Sequence, residues 1–430
     1  MRDIEAINKM KIGTKCVQAG YQPKNGEAVE LPICQSTTFL YESTEHVAKL
    51  FDFEVEGHFY SRISNPTIEG LERKITELEG GVGTLCVSSG QAAVMTAITN
   101  IAGAGDHVLS SGTLYGGSMN LLSVVLKRFG IQVTFFDTDL PAAEIQKKIQ
   151  PNTKLIYAES LANPALKVSD IRMLADVAHA GGIPLIIDNT FATPILCRPF
   201  EYGADIVVHS TTKYMDGHAT SVGGSVTDSG RFDWGGGKFP ELTEPDDSYH
   251  GMVYTEHFGK AAYIAKARAQ LIRDMGNCMS PMNAFLTNLG IETLALRMRK
   301  HCDNALKIAQ FLEAHEQVQA VNYPGLLSNA YHQLANKYLP DGCSGVVSFE
   351  VKGGRERAAA VMDRLRMISI VVHVSDVRSH VLHPASSTHR QLTDGQLIDC
   401  GISPGMIRLT VGIEEAEDII EDLKESLSFK

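Results

Sequence analysis

From Thr67 onward the chain alternates two patterns of apolar residues. Segments with apolar positions three or four apart, at Thr67–Glu79, Gln91–Ile101, Gly117–Phe129, Ala142–Ile149 and Ile171–Ala180, predict helices with one buried face. Between them lie short, nearly all-apolar runs that predict strands: Thr84–Ser88, Asp106–Ser110, Ile131–Phe136, Leu155–Ala158, Leu185–Ile187 and Ile206–Val208. Strands apolar on both faces and separated by helices make a mostly parallel sheet covered on both sides, an α/β architecture. Ligands of such sheets gather at the C-terminal ends of the strands.

Residues 1–65 lack this rhythm. Turn signals at Pro23-Lys24-Asn25-Gly26 and Ser64-Asn65-Pro66, with one helical stretch at Thr44–Phe51, predict an extended arm. Residues 228–256 break the rhythm again with Gly235–Gly237, two prolines and the acidic stretch Glu241–Asp247. A connection of that length predicts a long loop that covers an active site. Beyond it, Phe258–Met275 and Glu292–Ala314 predict long helices. Strands at Val346–Phe349, Ile368–Val372 and Met406–Val411 then mix with helices at Arg355–Leu365 and Glu415–Leu427. The chain divides into an arm (1–65), a large α/β domain (66–290) and a smaller α+β domain (291–430).

Composition narrows the possible partners. The 430 residues are 44% hydrophobic and 21% charged, which is ordinary globular composition. The 39 Lys and Arg against 50 Asp and Glu give a net charge of −11, unsuited to nucleic acid or an anionic membrane surface. The opening MRDIEAINKMKIGTKC is charged where a signal peptide needs an apolar stretch, and no run is long enough to span a membrane. Eight scattered cysteines without a C-x-x-C pair read as reduced thiols of a cytoplasmic protein. His383 and His389 flank a loop with no Cys or carboxylate at ligand spacing, so no metal site is expected.

Three strand ends carry candidate chemistry. Asp205-Ile-Val-Val-His-Ser210-Thr-Thr212-Lys213 runs a buried strand into hydroxyls and one lysine. Such a lysine is either a surface residue or one whose lowered pKa suits it to form a Schiff base. Leu185-Ile-Ile-Asp188 ends a strand in an aspartate able to hold a protonated ring nitrogen, or to cap a turn. Ser88-Ser89-Gly90-Gln91 leads a strand into a helix, an anion site by backbone N–H groups and helix dipole, or an ordinary cap. No Walker lysine motif follows it, which disfavours nucleotides.

In chain order, the Ser-Gly turn, the strand-end Asp188 and the strand-end Lys213, with Tyr115 and Asn163 between, resemble the Cys/Met-metabolism family of pyridoxal-phosphate enzymes, of the aspartate-aminotransferase fold type. The resemblance covers nearly the whole chain. It includes Tyr60-Ser-Arg62, Asn65-Pro66-Thr67, Tyr115-Gly116, Asn163-Pro164, His383-Pro-Ala-Ser-Ser-Thr-His389 and Arg408-Leu-Thr-Val-Gly. It implies that Lys213 bonds pyridoxal 5'-phosphate and then shuttles protons. Asp188 partners the pyridine nitrogen, Tyr115 stacks on the ring, and Asn163 contacts the cofactor oxygen. Ser89, Gly90, Gln91, Ser210 and Thr212 cradle the phosphate. Tyr60 and Arg62 reach a phosphate from a neighbouring subunit, which implies active dimers within a homotetramer. Arg408 clamps the substrate α-carboxylate, and a guanidinium suits that task by binding bidentately.

Within the family, three features resemble the O-acetylhomoserine sulfhydrylases: Gly117 where methionine γ-lyases carry Cys, the insert around Phe239–Gly251, and the wording Asn322-Tyr-Pro-Gly-Leu326 with Lys337-Tyr-Leu-Pro340. The implied reaction replaces the acetyl ester of O-acetyl-L-homoserine with sulfur to give L-homocysteine and acetate. The donor is sulfide, a small thiol or a sulfur-carrier protein. Methionine or cystathionine γ-lyase is the alternative. Two positions depart from the family pattern, Gln91 in place of Met and His373 in place of Asn or Ser. His373 is expected at the carboxylate end of the substrate site, with a charge that changes between pH 5 and 8.

Overall fold

A computed structural model describes Ile7, residues 9–387, Arg390, residues 393–399 and residues 402–428. The large domain is a seven-stranded sheet in the order β1-β7-β6-β5-β4-β2-β3. Its strands are β1 (Gly83–Val87), β2 (His107–Ser111), β3 (Gln132–Phe136), β4 (Thr153–Glu159), β5 (Leu185–Asp188), β6 (Ile206–His209) and β7 (Gly224–Asp228). Strands β2 to β6 pair in parallel, and the apolar centres of β2, β4, β5 and β6 suit burial on both faces, while β3 forms the partly exposed edge. Val108, Leu155, Ile186 and Val208 face one side layer, while Leu109, Ile156, Ile187 and Val207 face the other, and all are buried. A one-residue slip in any of these strands would swap its two faces, so packing on both sides sets the register.

Strand β7 escapes the apolar pattern. It lies between β1 and β6, antiparallel to both and buried at every position, yet Val226 is its one aliphatic residue. One of its polar groups finds a partner inside the sheet, Thr227 Oγ1 lying 2.9 Å from Thr84 Oγ1, while Ser225 Oγ is buried without a hydrogen-bond partner among the described residues. Gly224 is required by contact, because a Cβ there would lie 2.2 Å from the Ser89 carbonyl oxygen.

The second sheet has the order β10-β11-β12-β9-β8, with β8 (Val318–Asn322), β9 (Val346–Val351), β10 (Ser369–Ile370), β11 (His380–Leu382) and β12 (Met406–Thr410). Helices Leu294–Ala314 and Gly354–Met362 pack on it, and Ala416–Leu427 packs on both of these helices. A further helix, Pro281–Glu292, begins with Ser280 accepting from the Asn283 N–H at 3.1 Å and with proline in its first turn. It packs against helix Pro66–Glu79 and carries the chain toward the second sheet.

Two expectations need correction. The helix expected over Phe258–Met275 starts later, at Ala262, because Gly259, with a φ of 53°, ends Tyr254–Phe258; it then runs through a π-helical stretch at Ala267–Ile272 to Met275. Residues 228–256 are not a loose cover. Trp234, Phe239, Leu242 and Tyr254 are buried, and Trp234 stacks on Tyr263 with ring centroids 5.2 Å apart. Lys154, at the start of β4, donates to the Lys238 carbonyl and lies 3.6 Å from Glu241. This contact sits at the strand beginnings, opposite the strand ends where the candidate chemistry lies. Large apolar residues scattered irregularly through a Gly- and Pro-rich stretch carry no period, so pattern alone reads the segment as a loop.

Candidate active site

The turns after β1, β4, β5 and β6 converge on one cavity of about 240 Å³. Ser89 caps helix Gly90–Thr99 by accepting from the Ala92 N–H at 3.1 Å, and Ser89, Gly90 and Gln91 line the cavity at the first turn. Backbone N–H groups and the helix dipole favour an anion there. Gly90 packs so closely on the turn after β6 that a Cβ would lie 2.5 Å from Ser210 Cβ. Ser210 and Thr212 line the cavity from that turn, with the Ser210 N–H donating to Thr190 Oγ1 at 2.9 Å.

Gln91 and Gly117, both singled out by sequence, are packed against each other. A Cβ at Gly117 would lie 2.9 Å from Gln91 Nε2 and 2.6 Å from Tyr115 Cε1. The Gln91 amide, 3.3 Å from Ser118 Oγ, occupies the space that a side chain at 117 would enter.

Asp188 ends β5 as expected. Its Oδ1 accepts from the Thr190 N–H at 3.0 Å and from Thr190 Oγ1 at 2.5 Å, while the Tyr157 hydroxyl donates to Oδ2 at 3.4 Å. Burial raises its affinity for a proton. An ionised Asp188 in this place needs a cation beside it, and a protonated ring nitrogen meets that need.

Lys213 lines the same cavity, its Nζ 3.4 Å from His373 Nδ1. Burial, and after it the charge of Arg408, pulls the Lys213 pKa down to about 8. Above that pH the group is a neutral amine able to attack an aldehyde. Covalent capture of pyridoxal phosphate by cofactor-free protein should therefore accelerate with rising pH and level off above about 8. A stopped-flow absorbance series checks this, since an ordinary lysine would keep accelerating toward 10.5.

Arg408, on β12, brings the second sheet to the cavity. It is 7% exposed, and it donates from Nη1 to Asn163 Oδ1 and from Nη2 to the His373 carbonyl, both at 3.3 Å. Arg408 Nε and His373 Nε2 are buried without a hydrogen-bond partner among the described residues, so the site presents two free nitrogens to an acceptor group. The expected charge change at His373 is not what the structure supports. Burial, then the positive charge of Lys213, pulls the imidazole down to about 4, so it stays neutral between pH 5 and 8. His373→Asn should change KM for the amino-acid substrate without altering the shape of the kcat/KM profile across that interval. Steady-state kinetics read both.

Tyr60 and Arg62 do not line the cavity of their own chain. Tyr60 is exposed, Arg62 lies over its ring at 5.4 Å, and Arg62 donates to the Arg273 carbonyl. His383 is engaged within its loop by Ser386 Oγ at 2.8 Å and the Pro404 carbonyl at 2.7 Å, while His389 lies outside the described residues.

One functional candidate was missed at the sequence level. Glu159 ends β4 as Asp188 ends β5, and the two are paired in register. It lines the cavity while only 5% exposed. The strand-end rule that singled out Asp188 applies equally to Tyr157-Ala-Glu159.

An anion turn, a carboxylate for a ring nitrogen, an amine of lowered pKa, the Tyr115 ring and a guanidinium meet in one cavity that fits pyridoxal phosphate. The fold and this set define a pyridoxal-phosphate enzyme of the aspartate-aminotransferase type. The chain belongs to the Cys/Met metabolism PLP-dependent enzyme family, whose sequence model matches residues 13–428. It is 45% identical to the O-acetyl-L-homoserine sulfhydrylase of Leptospira meyeri, over 92% of each chain. It is 43% identical to the homocysteine synthase of Schizosaccharomyces pombe, over 96% of each. A Campylobacter jejuni structure described as an O-acetylhomoserine (thiol)-lyase, holding a pyridoxyl-lysine monophosphate, superposes with a TM-score of 0.94 at 37% identity, covering 98% of this chain and 100% of that one.

Proposed function

We propose that this protein is a pyridoxal-phosphate transferase that replaces the acetyl ester of O-acetyl-L-homoserine with sulfur, releasing acetate and L-homocysteine. The observation that carries this reading is the similarity to O-acetyl-L-homoserine sulfhydrylases over 92% of both chains, with every required group in one cavity.

When bound, the cofactor supplies an aldehyde for the amine and an electron sink for the carbon beside it. The protein does the rest. The first turn of helix Gly90–Thr99, with Ser210 and Thr212, holds the phosphate. Asp188 would hold the proton on the ring nitrogen, and the Tyr115 ring would pack against the cofactor. Arg408 takes the substrate carboxylate and so orients the α-carbon toward Lys213. The Lys213 amine holds one extra proton at a time: it takes the proton from the α-carbon, hands it on, and, neutral again, takes one from the β-carbon; acetate leaves the γ-carbon, hydrosulfide adds there, and the two proton transfers then run in reverse. A pKa of about 8 suits an amine that must accept and donate in turn. Neutral His373 beside Lys213 Nζ adds no competing charge. The test is stoichiometry: acetate and homocysteine should appear one for one and only with sulfide present. Acetate release at the same rate without sulfide would refute replacement.

The working unit is an active dimer within a tetramer, with residues 1–65 as an arm that crosses between subunits and 66–290 and 291–430 as the two domains. Exposed Val29, Leu40, Phe51 and Tyr60 on that arm support this, as does the distance of Arg62 from its own cavity lining. Mixing inactive Arg62→Ala and Lys213→Ala proteins should restore activity, because a mixed dimer has one site with both residues. No recovery after subunit exchange would contradict the crossing. The cytoplasm fits the described cysteines, which are all free, and the described helices, none of which is long and apolar enough to cross a membrane. The sulfur donor is free sulfide or another small thiol, with a sulfur-carrier protein as the alternative.

A further inference from the structure

Glu159 is the one buried carboxylate of the cavity besides Asp188 among the described residues. Its two oxygens do different work. Oε1 accepts the Tyr115 backbone N–H at 2.7 Å, and Oε2 accepts the Asn163 backbone N–H at 3.1 Å. Tyr115 opens the short helix Gly116–Asn120, beyond β2, and Asn163 lies in the turn after β4. One side chain thus ties together two turns that otherwise belong to separate crossover connections. The Asn163 side chain in turn accepts from Arg408 across the domains.

A carboxylate is an expensive choice for this place. Desolvation, and after it the charge of Asp188, drives its proton affinity well above the ordinary carboxyl range. An aliphatic side chain would fill the same strand end without that cost but would leave two buried N–H groups unpaired. A glutamine accepts through one oxygen and presents an NH2 group to the other backbone donor, so it can hold one turn and not both. The requirement is for two acceptors on one short side chain.

We propose that Glu159 is a positioning residue of the active site, holding Tyr115 and Asn163 in place around Asp188 through their backbone N–H groups. The proposal rests on the assignment of Tyr115 and Asn163 to the cofactor and substrate. It places the cost of losing Glu159 in the alignment of those two residues and, through Asn163, of Arg408.

The test is a double-mutant cycle in the full-length holoenzyme, read by cofactor dissociation constant and by kcat/KM. Asn163→Ala and Tyr115→Ala alone should each weaken one or both quantities; if both are silent, the underlying site assignment fails. Given their effect, Glu159→Gln should weaken cofactor binding by about tenfold and kcat/KM by about 100-fold, the scale of an ångström-sized misplacement. Adding Glu159→Gln to Asn163→Ala should then cost much less than it does alone, because the turn it aligns no longer carries its side chain. Full additivity, or wild-type behaviour of Glu159→Gln, would overturn the proposal. Native-state hydrogen exchange of the unmodified protein gives a second readout that needs no variant. The Tyr115 and Asn163 amides should exchange as slowly as those of the β4 interior, and exchange at surface-loop rates would also overturn it.

Discussion

Lys213→Ala is expected to lower turnover by at least ~10²–10⁴-fold while leaving the chain folded, because it removes the group that moves protons at two substrate carbons. Other buried lysines cannot substitute. Lys74 pairs with Glu292, Lys154 with the Lys238 carbonyl and Glu241, and Lys266 with the Asn100 carbonyl, and none of them lines the cavity. Among the described residues Lys213 has no carboxylate partner; its side chain meets His373 at 3.4 Å, so its removal breaks no ion pair. Borohydride reduction of the wild-type holoenzyme should place the cofactor on Lys213, and the variant should retain no label. A label on a different lysine would refute the assignment.

The second large effect is at Arg408. Arg408→Ala removes the fork that takes the substrate carboxylate, and truncating one side of a buried charge pair costs about 2–5 kcal/mol, at least roughly thirty-fold in kcat/KM. Lysine keeps the charge but not the planar pair of donors, so Arg408→Lys should recover little. The loss should fall mainly on KM for the amino acid. A further consequence follows from the charge itself. Arg408 helps hold the Lys213 pKa near 8, so its removal should move the plateau of cofactor capture to higher pH, by only part of the shift because burial is the larger cause. An unchanged capture profile together with an unchanged KM would contradict both roles.

What pattern could read, and what it could not, follows from how each element is stabilised. β2, β4, β5 and β6 are buried almost throughout and have apolar centres, so each announces itself locally, while the edge strand β3 is only partly buried. β7 is just as buried but carries polar side chains, of which Thr227 pairs with Thr84 within the sheet, and no hydrophobic period marks it. The insert at 228–256 contributes to the core through isolated aromatics, and its place became visible only with the tertiary packing. Lys213 and Asp188 stood out because polar groups end apolar strands there. Arg408 is different, since its role depends on a second domain folding over the first, and without the family resemblance it is one more strand residue. Glu159 carried the same local mark as Asp188 and was passed over because its partners are backbone N–H groups, which no side-chain motif records. That Gln91 and Gly117 share one space is likewise invisible to local pattern.

The central claim is replacement at the γ-carbon of an acetyl ester by a sulfur nucleophile. Its most direct test is mass-spectrometric product analysis of the purified holoenzyme with O-acetylhomoserine, O-succinylhomoserine and methionine, each with and without sulfide. Homocysteine from the acetyl ester as the main product, dependent on sulfide, is the result predicted here. Rapid ammonia and α-ketobutyrate release from methionine, with no homocysteine from the acetyl ester, would contradict it and establish a lyase.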